Sequence, residues 1–192
     1  MPLKTALWFY SLCALLSSCA ALTNKPDVIN EPTLMPLAQP VGPSRRIVQQ
    51  ITAQWPDRKE ILLCVLELDK QRVAIAGLTN DGLSLFNLTY DGKTIVSDKS
   101  PLLPKSLAPE FIIADLQLVY WPVAVLQKSL HADSWRLEAD SRHRRLYYRG
   151  DKRVDVNYLL PNPVWAKSVE LINYRYNYRL QIKTLSYEAL PE

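Results

Sequence analysis

Short alternating stretches joined by glycine-containing turns constrain the fold of this chain more than any other sequence feature. Asn80-Asp81-Gly82 separates residues 72–78 from residues 83–90, and Asp91-Gly92 separates residues 83–90 from residues 93–97. An Asp-Gly pair supplies the positive φ angles that tight hairpin turns require. The sequence therefore predicts a run of antiparallel strands in this part of the chain.

Further strands are predicted on both sides of this region. Residues 45–55 alternate in polarity, and one side carries Ile47, Gln49, Ile51, Ala53 and Trp55. Residues 60–69 are apolar on both faces, which is typical of a central strand that is covered on both sides. Gly150-Asp151 indicates another hairpin. The last predicted strand, residues 174–183, has a packed face that carries Tyr174, Tyr176, Tyr178, Leu180 and Ile182.

Two helices are predicted between the two groups of strands. Pro109 suits the first position of a helix over residues 110–120, which is apolar nearly all the way round and is therefore expected to be buried. Asp115 and Gln117 interrupt this helix, so each needs a hydrogen-bonding partner, and an arginine is the expected partner of Asp115. Trp121 precedes a proline, which disfavours helical geometry at Trp121. A second short helix is expected over residues 122–130.

These elements predict an α+β fold with one antiparallel sheet of about eight to ten strands. We expect the sheet, over residues 45–188, to be strongly curved and to carry the two-helix insertion on its concave side. The sequence contains no nucleotide-binding βαβ unit and no internal repeat.

The N-terminal residues 1–18 have the pattern of a secretory signal. A single positive charge, Lys4, precedes an apolar run over residues 5–16, which is too short to cross a bilayer of about 30 Å. The run ends in Leu16-Ser17-Ser18-Cys19, which resembles the bacterial lipobox. This resemblance implies lipidation of Cys19, and Ala20 at the next position implies sorting to the outer membrane. The alternative is an ordinary cleaved signal followed by a chance cysteine.

Residues 19–44 are predicted to form a lipidated, poorly ordered tether. This segment has little apolar periodicity and contains Pro26, Pro32, Pro36, Pro40 and Pro43. Of the three cysteines, only Cys64 remains for the folded domain, because Cys13 leaves with the signal and Cys19 is lipidated. A disulfide framework within one chain is therefore excluded, and Cys64 is expected to be buried.

The stretch 60–122 resembles a family of small Gram-negative outer-membrane lipoproteins of unknown function. The residues that carry the resemblance are the strand Leu62-Leu63-Cys64-Val65-Leu66-Glu67-Leu68-Asp69, the turn Tyr90-Asp91-Gly92, and Asp115-Leu116-Gln117-Leu118 followed by Tyr120-Trp121-Pro122. Members of that family are often encoded with aryl-polyene biosynthesis genes, near a LolA-like carrier. The family is remotely similar to LolA and LolB, which implies a half-barrel with an apolar cavity for acyl chains. LolB also has a protruding loop with an exposed leucine, whereas the hairpins of this sequence are short and polar.

The leading functional hypothesis is a periplasm-facing, lipid-anchored binder of an acyl or polyene chain, or of lipoprotein acyl groups. The candidate ligand-binding residues are Phe86, Leu118, Trp121, Tyr176 and Tyr178. The alternative for these side chains is that they form the core, which is the usual role of aromatic residues at strand spacing. The second hypothesis is an assembly or scaffold lipoprotein that binds other envelope proteins and has no cavity ligand.

Catalysis is not expected, since the two histidines, His131 and His143, have no metal-ligand or triad spacing. We therefore predict no enzyme, no cofactor and no metal. Expected partners are the membrane, an acyl or polyene ligand and a LolA-like carrier, with no nucleic acid, and we expect a monomer.

A cluster of basic residues suits either anionic lipid phosphates or a solvated hairpin surface. Its members are Arg142-His143-Arg144-Arg145, Arg149, Lys152 and Arg153.

Overall fold

The computed structural model describes residues 34–103, 108–130, 133–159 and 168–191. The strands are β1 (Arg45–Gln54), β2 (Lys59–Leu68), β3 (Val73–Leu78), β4 (Ser84–Tyr90), β5 (Ile95–Lys99), β6 (Trp135–Ala139), β7 (His143–Tyr148), β8 (Asp151–Tyr158), β9 (Ser168–Asn173) and β10 (Tyr178–Ala189). The helices are α1 (Pro109–Tyr120) and α2 (Val123–Ser129). The predicted signal, Cys19 and most of the predicted tether lie outside the described residues.

The strands form one antiparallel sheet in the order β5-β4-β3-β2-β1-β10-β9-β8-β7-β6. Each strand pairs with its sequence neighbour, apart from the central pair, in which β1 lies against β10. In sequence, the two helices lie between the edge strands β5 and β6. The prediction of one large antiparallel sheet with two helices is confirmed, while the half-barrel curvature and the placement of the helices on its concave side stay predictions.

Positive-φ residues mark the predicted hairpins. Gly82 has φ +87° and Gly92 has φ +95°, as their Asp-Gly turns require. The third hairpin turns one residue earlier than predicted, because Arg149 (φ 49°) and Gly150 (φ 90°) both take the left-handed conformation. Asp151 accordingly begins β8 and is not part of the turn.

The predicted strand over residues 174–183 is wrong in its first part. Residues 174–177 form the turn between β9 and β10, and Asn177 takes a positive φ of 50°. The Asn173 side-chain oxygen accepts a hydrogen bond from the Tyr176 backbone N–H at 3.0 Å, which stabilises the reversal. Tyr174 and Tyr176 therefore do not share a strand face with Tyr178.

Strand β2 is also covered differently from the prediction. Cys64, Leu66 and Leu68 are buried, whereas the alternating residues Leu63 and Val65 are only half-buried. Within the described residues, the sheet has one buried face, which we call the inner face. The other face of β2 is apolar in sequence, but its side chains are not fully buried.

The N-terminal part of the described chain departs most from the predicted tether. Residues 34–44 pack against the domain, and Met35 and Ala38 belong to the hydrophobic core with exposures of 5% and 1%. We call residues 34–41 the strap. The folded domain therefore begins at least as early as Leu34 and not at residue 45, because α1 presents a second apolar side that the strap covers.

Candidate functional site around helix α1

The five candidate ligand-binding residues occupy three different environments near α1. Phe86 lies on β4, while Leu118 and Trp121 lie in the core at the C-terminal end of α1, where each is only 1% exposed. Tyr176 lies in the β9–β10 turn and Tyr178 begins β10, and both are half-buried. Of the five, Phe86 is the one that lines the pocket described next.

A small apolar pocket lies where the start of α1 meets strands β4 and β5. We call it the seam pocket, and its lining residues are Phe86, Asn87, Leu88, Ser97, Asp98, Lys99, Leu103, Pro109 and Ile112. Its volume is about 10 Å³, which is room for about one water molecule. The Phe86 ring lies over Gly77 of β3, and a Cβ at Gly77 would stand 2.2 Å from a ring carbon. A side chain at position 77 would therefore push the ring out of its place in the pocket wall.

Asp115 forms the main polar contact between α1 and β10. Tyr178 Oη donates a hydrogen bond to Asp115 Oδ2 at 2.5 Å, and Asn173 Nδ2 donates to Tyr178 Oη at 3.1 Å. Burial of the carboxyl raises the pKa of Asp115 to about 7, against a smaller lowering from the Tyr178 hydrogen bond. Burial first, and the Asp115 charge second, raise the pKa of Tyr178 far above its ordinary value. The expected arginine partner of Asp115 is wrong: a tyrosine fills this role.

Tyr176 and Tyr178 each pack against another aromatic ring. Phe111 and Tyr176 meet edge to face, with ring centroids 4.5 Å apart, and Trp55 and Tyr178 lie 6.4 Å apart. The Arg58 guanidinium lies 4.2 Å from the Trp55 ring centroid, in cation–π geometry. The site thus joins half-buried rings from α1, the β9–β10 turn, the start of β10 and the residue that follows β1. Phe111 and Trp55 are not among the predicted site residues.

The C-terminal end of α1 is held by side chains from β7 and β8. Arg144 Nη1 donates to the carbonyl oxygens of Leu118 and Trp121 at 2.8 and 2.7 Å. Tyr158 Oη donates to the Val119 carbonyl at 2.6 Å. A cation at this end satisfies orphan carbonyls and opposes the helix dipole. Arg144 is thereby removed from the predicted basic cluster, since it is buried while its neighbours point away from the core.

The opposite side of α1 contacts the strap. Gln117, which is fully buried, accepts a hydrogen bond from the Ala38 N–H at 2.8 Å and donates one to the Ala38 carbonyl at 2.7 Å. Trp121 Nε1 donates to the Gln39 carbonyl at 2.7 Å. The expectation that Gln117 needs a partner is confirmed. The sequence signal that could have indicated this contact is the apolar circumference of α1, because one sheet face cannot cover a helix that is apolar nearly all the way round.

Two further titratable groups, one on β2 and one on α1, are buried between the sheet and the helix. Cys64 is buried, as predicted, and burial raises the pKa of its thiol to about 12. Burial likewise raises the pKa of Tyr120 to about 12, and its hydroxyl accepts a hydrogen bond from the Gln49 side chain. At neutral pH both groups are neutral and act as packing and hydrogen-bonding elements.

The described histidine is engaged in a turn. The imidazole of His143 lies 3.1 Å from Asp140, whose carboxylate also accepts the backbone N–H groups of Arg142 and His143. The backbone hydrogen bond from Arg142 is the largest of the causes that lower the pKa of Asp140, and the side-chain hydrogen bond from His143 adds to it. His131 lies outside the described residues.

None of the described helices has the length and apolar character needed to cross a membrane.

Comparisons with known proteins identify a family and a structure with a similar fold. Residues 46–186 match the family described as "Protein of unknown function (DUF3261)". A crystal structure from Vibrio parahaemolyticus, described as a "putative outer membrane lipoprotein-sorting protein domain", is similar with a TM-score of 0.40 and 9% identity over 78% of this chain and 88% of that chain. At that score and identity the likeness carries no argument about function. No curated protein matches the chain.

Proposed function

The chain belongs to the family of proteins of unknown function DUF3261, and from this premise we propose that it is an envelope lipoprotein that binds an apolar chain. The ligand is an acyl or polyene chain, or the acyl groups of a lipoprotein, and its binding serves lipid or lipoprotein transport. The binding site is the seam between α1 and the inner face of the sheet, within a half-barrel. Cys19 carries the lipid anchor, which holds the domain at the outer membrane facing the periplasm.

The seam pocket is the observation that carries this proposal. Its wall is formed by apolar side chains from the sheet and from α1, chiefly Phe86, Leu88 and Ile112. The polar residues Asn87, Ser97, Asp98 and Lys99 also line it. Apolar walls with few polar groups are the usual lining of sites for small apolar ligands.

The seam pocket must widen to accept a hydrocarbon chain, and the hydrogen bonds of α1 favour movement at one end. The C-terminal half of the helix is held by Gln117, Arg144 and Tyr158. The N-terminal end has Ala108 as its N-cap, without a side-chain cap bond, and Pro109 at the first helical position. The N-terminal half can therefore tilt away from β4 and β5 while the C-terminal half stays in place.

A fatty-acid titration tests the proposal. The lipid-free chain is mixed with a fluorescent sixteen-carbon fatty acid, and ligand emission is followed to saturation. Ile112→Trp fills the seam pocket and is expected to weaken binding at least tenfold. Val96→Trp is the matched control, because Val96 lies on β5 with 66% of its surface exposed and does not line the pocket.

Equal binding by wild type, Ile112→Trp and Val96→Trp would place any fatty acid elsewhere and would contradict the seam site. Absence of saturable binding would contradict the whole ligand hypothesis. The anchor is tested separately by Cys19→Ser, which is expected to move the protein from the membrane fraction to the soluble fraction.

A second candidate function, the assembly or scaffold lipoprotein without a cavity ligand, is favoured by the filled interior. Leu118 and Trp121 are core residues, and the seam pocket holds about one water molecule. The face of the sheet opposite the inner face also carries half-buried apolar residues. Three of them lie side by side on β1, β2 and β3, namely Val48, Val65 and Ala76. A photo-crosslinker at position 65 is expected to capture a protein partner if this candidate is right, whereas one at the exposed polar position 181 is not.

A further inference from the structure

We propose that the side of α1 covered by the strap is a peptide-binding site, which the chain fills here with its own residues 34–41. The expected ligand is an extended, uncharged peptide segment of a partner protein, with a small residue at the position of Ala38. This site is distinct from the seam pocket, and the inference does not depend on the apolar-chain proposal.

Recognition at this site is directed at peptide backbone. Gln117 pairs with both the N–H and the C=O of Ala38, at 2.8 and 2.7 Å, so its amide group matches a single residue of an extended chain. Trp121 Nε1 adds the carbonyl of the next residue, Gln39, at 2.7 Å. Gln117 and Trp121 are four residues apart and therefore lie on one face of the helix. Because backbone groups are common to all sequences, these three hydrogen bonds suit any extended segment that fits sterically.

The buried positions that hold the strap side chains would give the site its selectivity. Met35 and Ala38 are buried to 5% and 1% exposure, and Pro40 is buried as well. Gln39 points the other way, and its Nε2 donates to the Gly92 carbonyl at 2.8 Å in the β4–β5 turn. A Cβ at position 92 would stand 1.9 Å from the Gln39 side-chain oxygen, so the glycine lets the Gln39 side chain lie against this turn. The three buried positions therefore hold a long apolar side chain, a small side chain and a proline. The eight strap residues carry no charge.

The strap is attached in a way that permits exchange. Its connection to β1 passes through Gly42, whose φ of +98° is a conformation that glycine adopts without strain. The hydrogen bonds named above each join a side chain to a backbone group, and the strap lies outside the sheet, since β1 begins at Arg45. A tethered segment competes at millimolar effective concentration, so a free ligand binds only when the strap is displaced or weakened.

A peptide titration on the full chain tests the proposal. Ala38→Trp places a large ring at a buried position and is expected to free the site, with Met35→Glu as a second strap variant. A fluorescein-labelled peptide of residues 34–41 is expected to bind both variants at least tenfold more tightly than it binds wild type, as measured by anisotropy. The same peptide carrying tryptophan at the Ala38 position serves as the peptide control and is expected not to bind.

Adding Gln117→Ala to either strap variant is expected to weaken peptide binding at least tenfold, whereas the exposed glutamine change Gln181→Ala should leave it within twofold. Circular dichroism shows whether each variant keeps its sheet. Failure of the peptide to bind a folded strap variant, or equal binding with and without Gln117, would overturn the proposal. Concentration-dependent dimers of wild type would overturn the partner assignment, because a second copy would then be the occupant.

Discussion

The carboxyl group of Asp115 lies among apolar side chains, an environment in which ionised carboxylates are rare. The residue lies on α1 between buried neighbours, and its carboxyl accepts a hydrogen bond from the Tyr178 hydroxyl. Burial raises the pKa of Asp115 to about 7, so the group is largely protonated in weak acid and partly ionised at neutral pH. The Tyr178 hydrogen bond suits both states, because an oxygen acceptor remains available in each.

We predict that Asp115 makes the domain less stable as the pH rises. The pKa of Asp115 in the folded chain, about 7, lies above the ordinary value of 3.8, so the folded state binds more protons in that interval. The stabilising contribution is complete below about pH 4 and is lost as the pH rises through about 7. Asp115→Asn removes this dependence, so between pH 4.5 and 8 wild type should lose about 2–4 kcal/mol relative to the variant.

Urea unfolding at several pH values measures this difference. Asp98→Asn is the control, because Asp98 is exposed on β5, and its pH profile should follow wild type. Parallel profiles for wild type and Asp115→Asn would contradict the buried-carboxyl interpretation.

At the scale of elements, Arg144 holds the C-terminal end of α1 through two hydrogen bonds. We predict that Arg144→Leu destabilises the domain by about 2–3 kcal/mol, because it leaves buried helix-end carbonyls without donors. Arg145→Leu is the matched control, since Arg145 is the next residue of β7 and points to the opposite face. Its effect should stay within about 0.5 kcal/mol. Urea unfolding at one pH measures both, and equal losses would show that Arg144 does not hold the helix.

The β7–β8 hairpin offers a stabilising change. Arg149 takes φ 49° and is followed by Gly150 at φ 90°, which is the conformation that Asn-Gly adopts most readily. Arg149→Asn should therefore raise the free energy of unfolding by about 0.5–1 kcal/mol. Gly150→Ala should lower it by about 1 kcal/mol, even though a Cβ there has open space, because the strain comes from the backbone alone. Thermal unfolding of both variants checks the opposite signs.

Across the whole molecule, the sequence predicted best what depends on local pattern. The sheet, its Asp-Gly hairpins and α1 followed from period-two alternation, turn residues and Pro109, which act on neighbours along the chain. The turn at residues 174–177 was missed because Tyr174, Tyr176 and Tyr178 keep a spacing of two across it. That alternation continues through a reversal of the chain, so polarity alone does not reveal the break.

The contacts that join distant segments were harder to predict. Ala38 and Gln117 are 79 residues apart, and nothing in the proline-rich segment alone indicates that Gln117 binds it. The Tyr178 partner of Asp115 is likewise 63 residues away in the sequence. Sequence reasoning identified that Asp115 and Gln117 need partners, because both interrupt an apolar helix, but the identity of each partner follows from the fold.

Native mass spectrometry of the chain tests the proposed ligand-binding function most directly. The chain from Ala20 onward, without the acylated cysteine, is produced in the periplasm and sprayed under gentle and then denaturing conditions. We predict an additional mass in the lipid or polyene range that is lost on denaturation, retained in Val96→Trp and absent from Ile112→Trp. A clean ligand-free mass for the wild type, with no uptake of added palmitate, would contradict the proposal and favour the protein-binding lipoprotein instead.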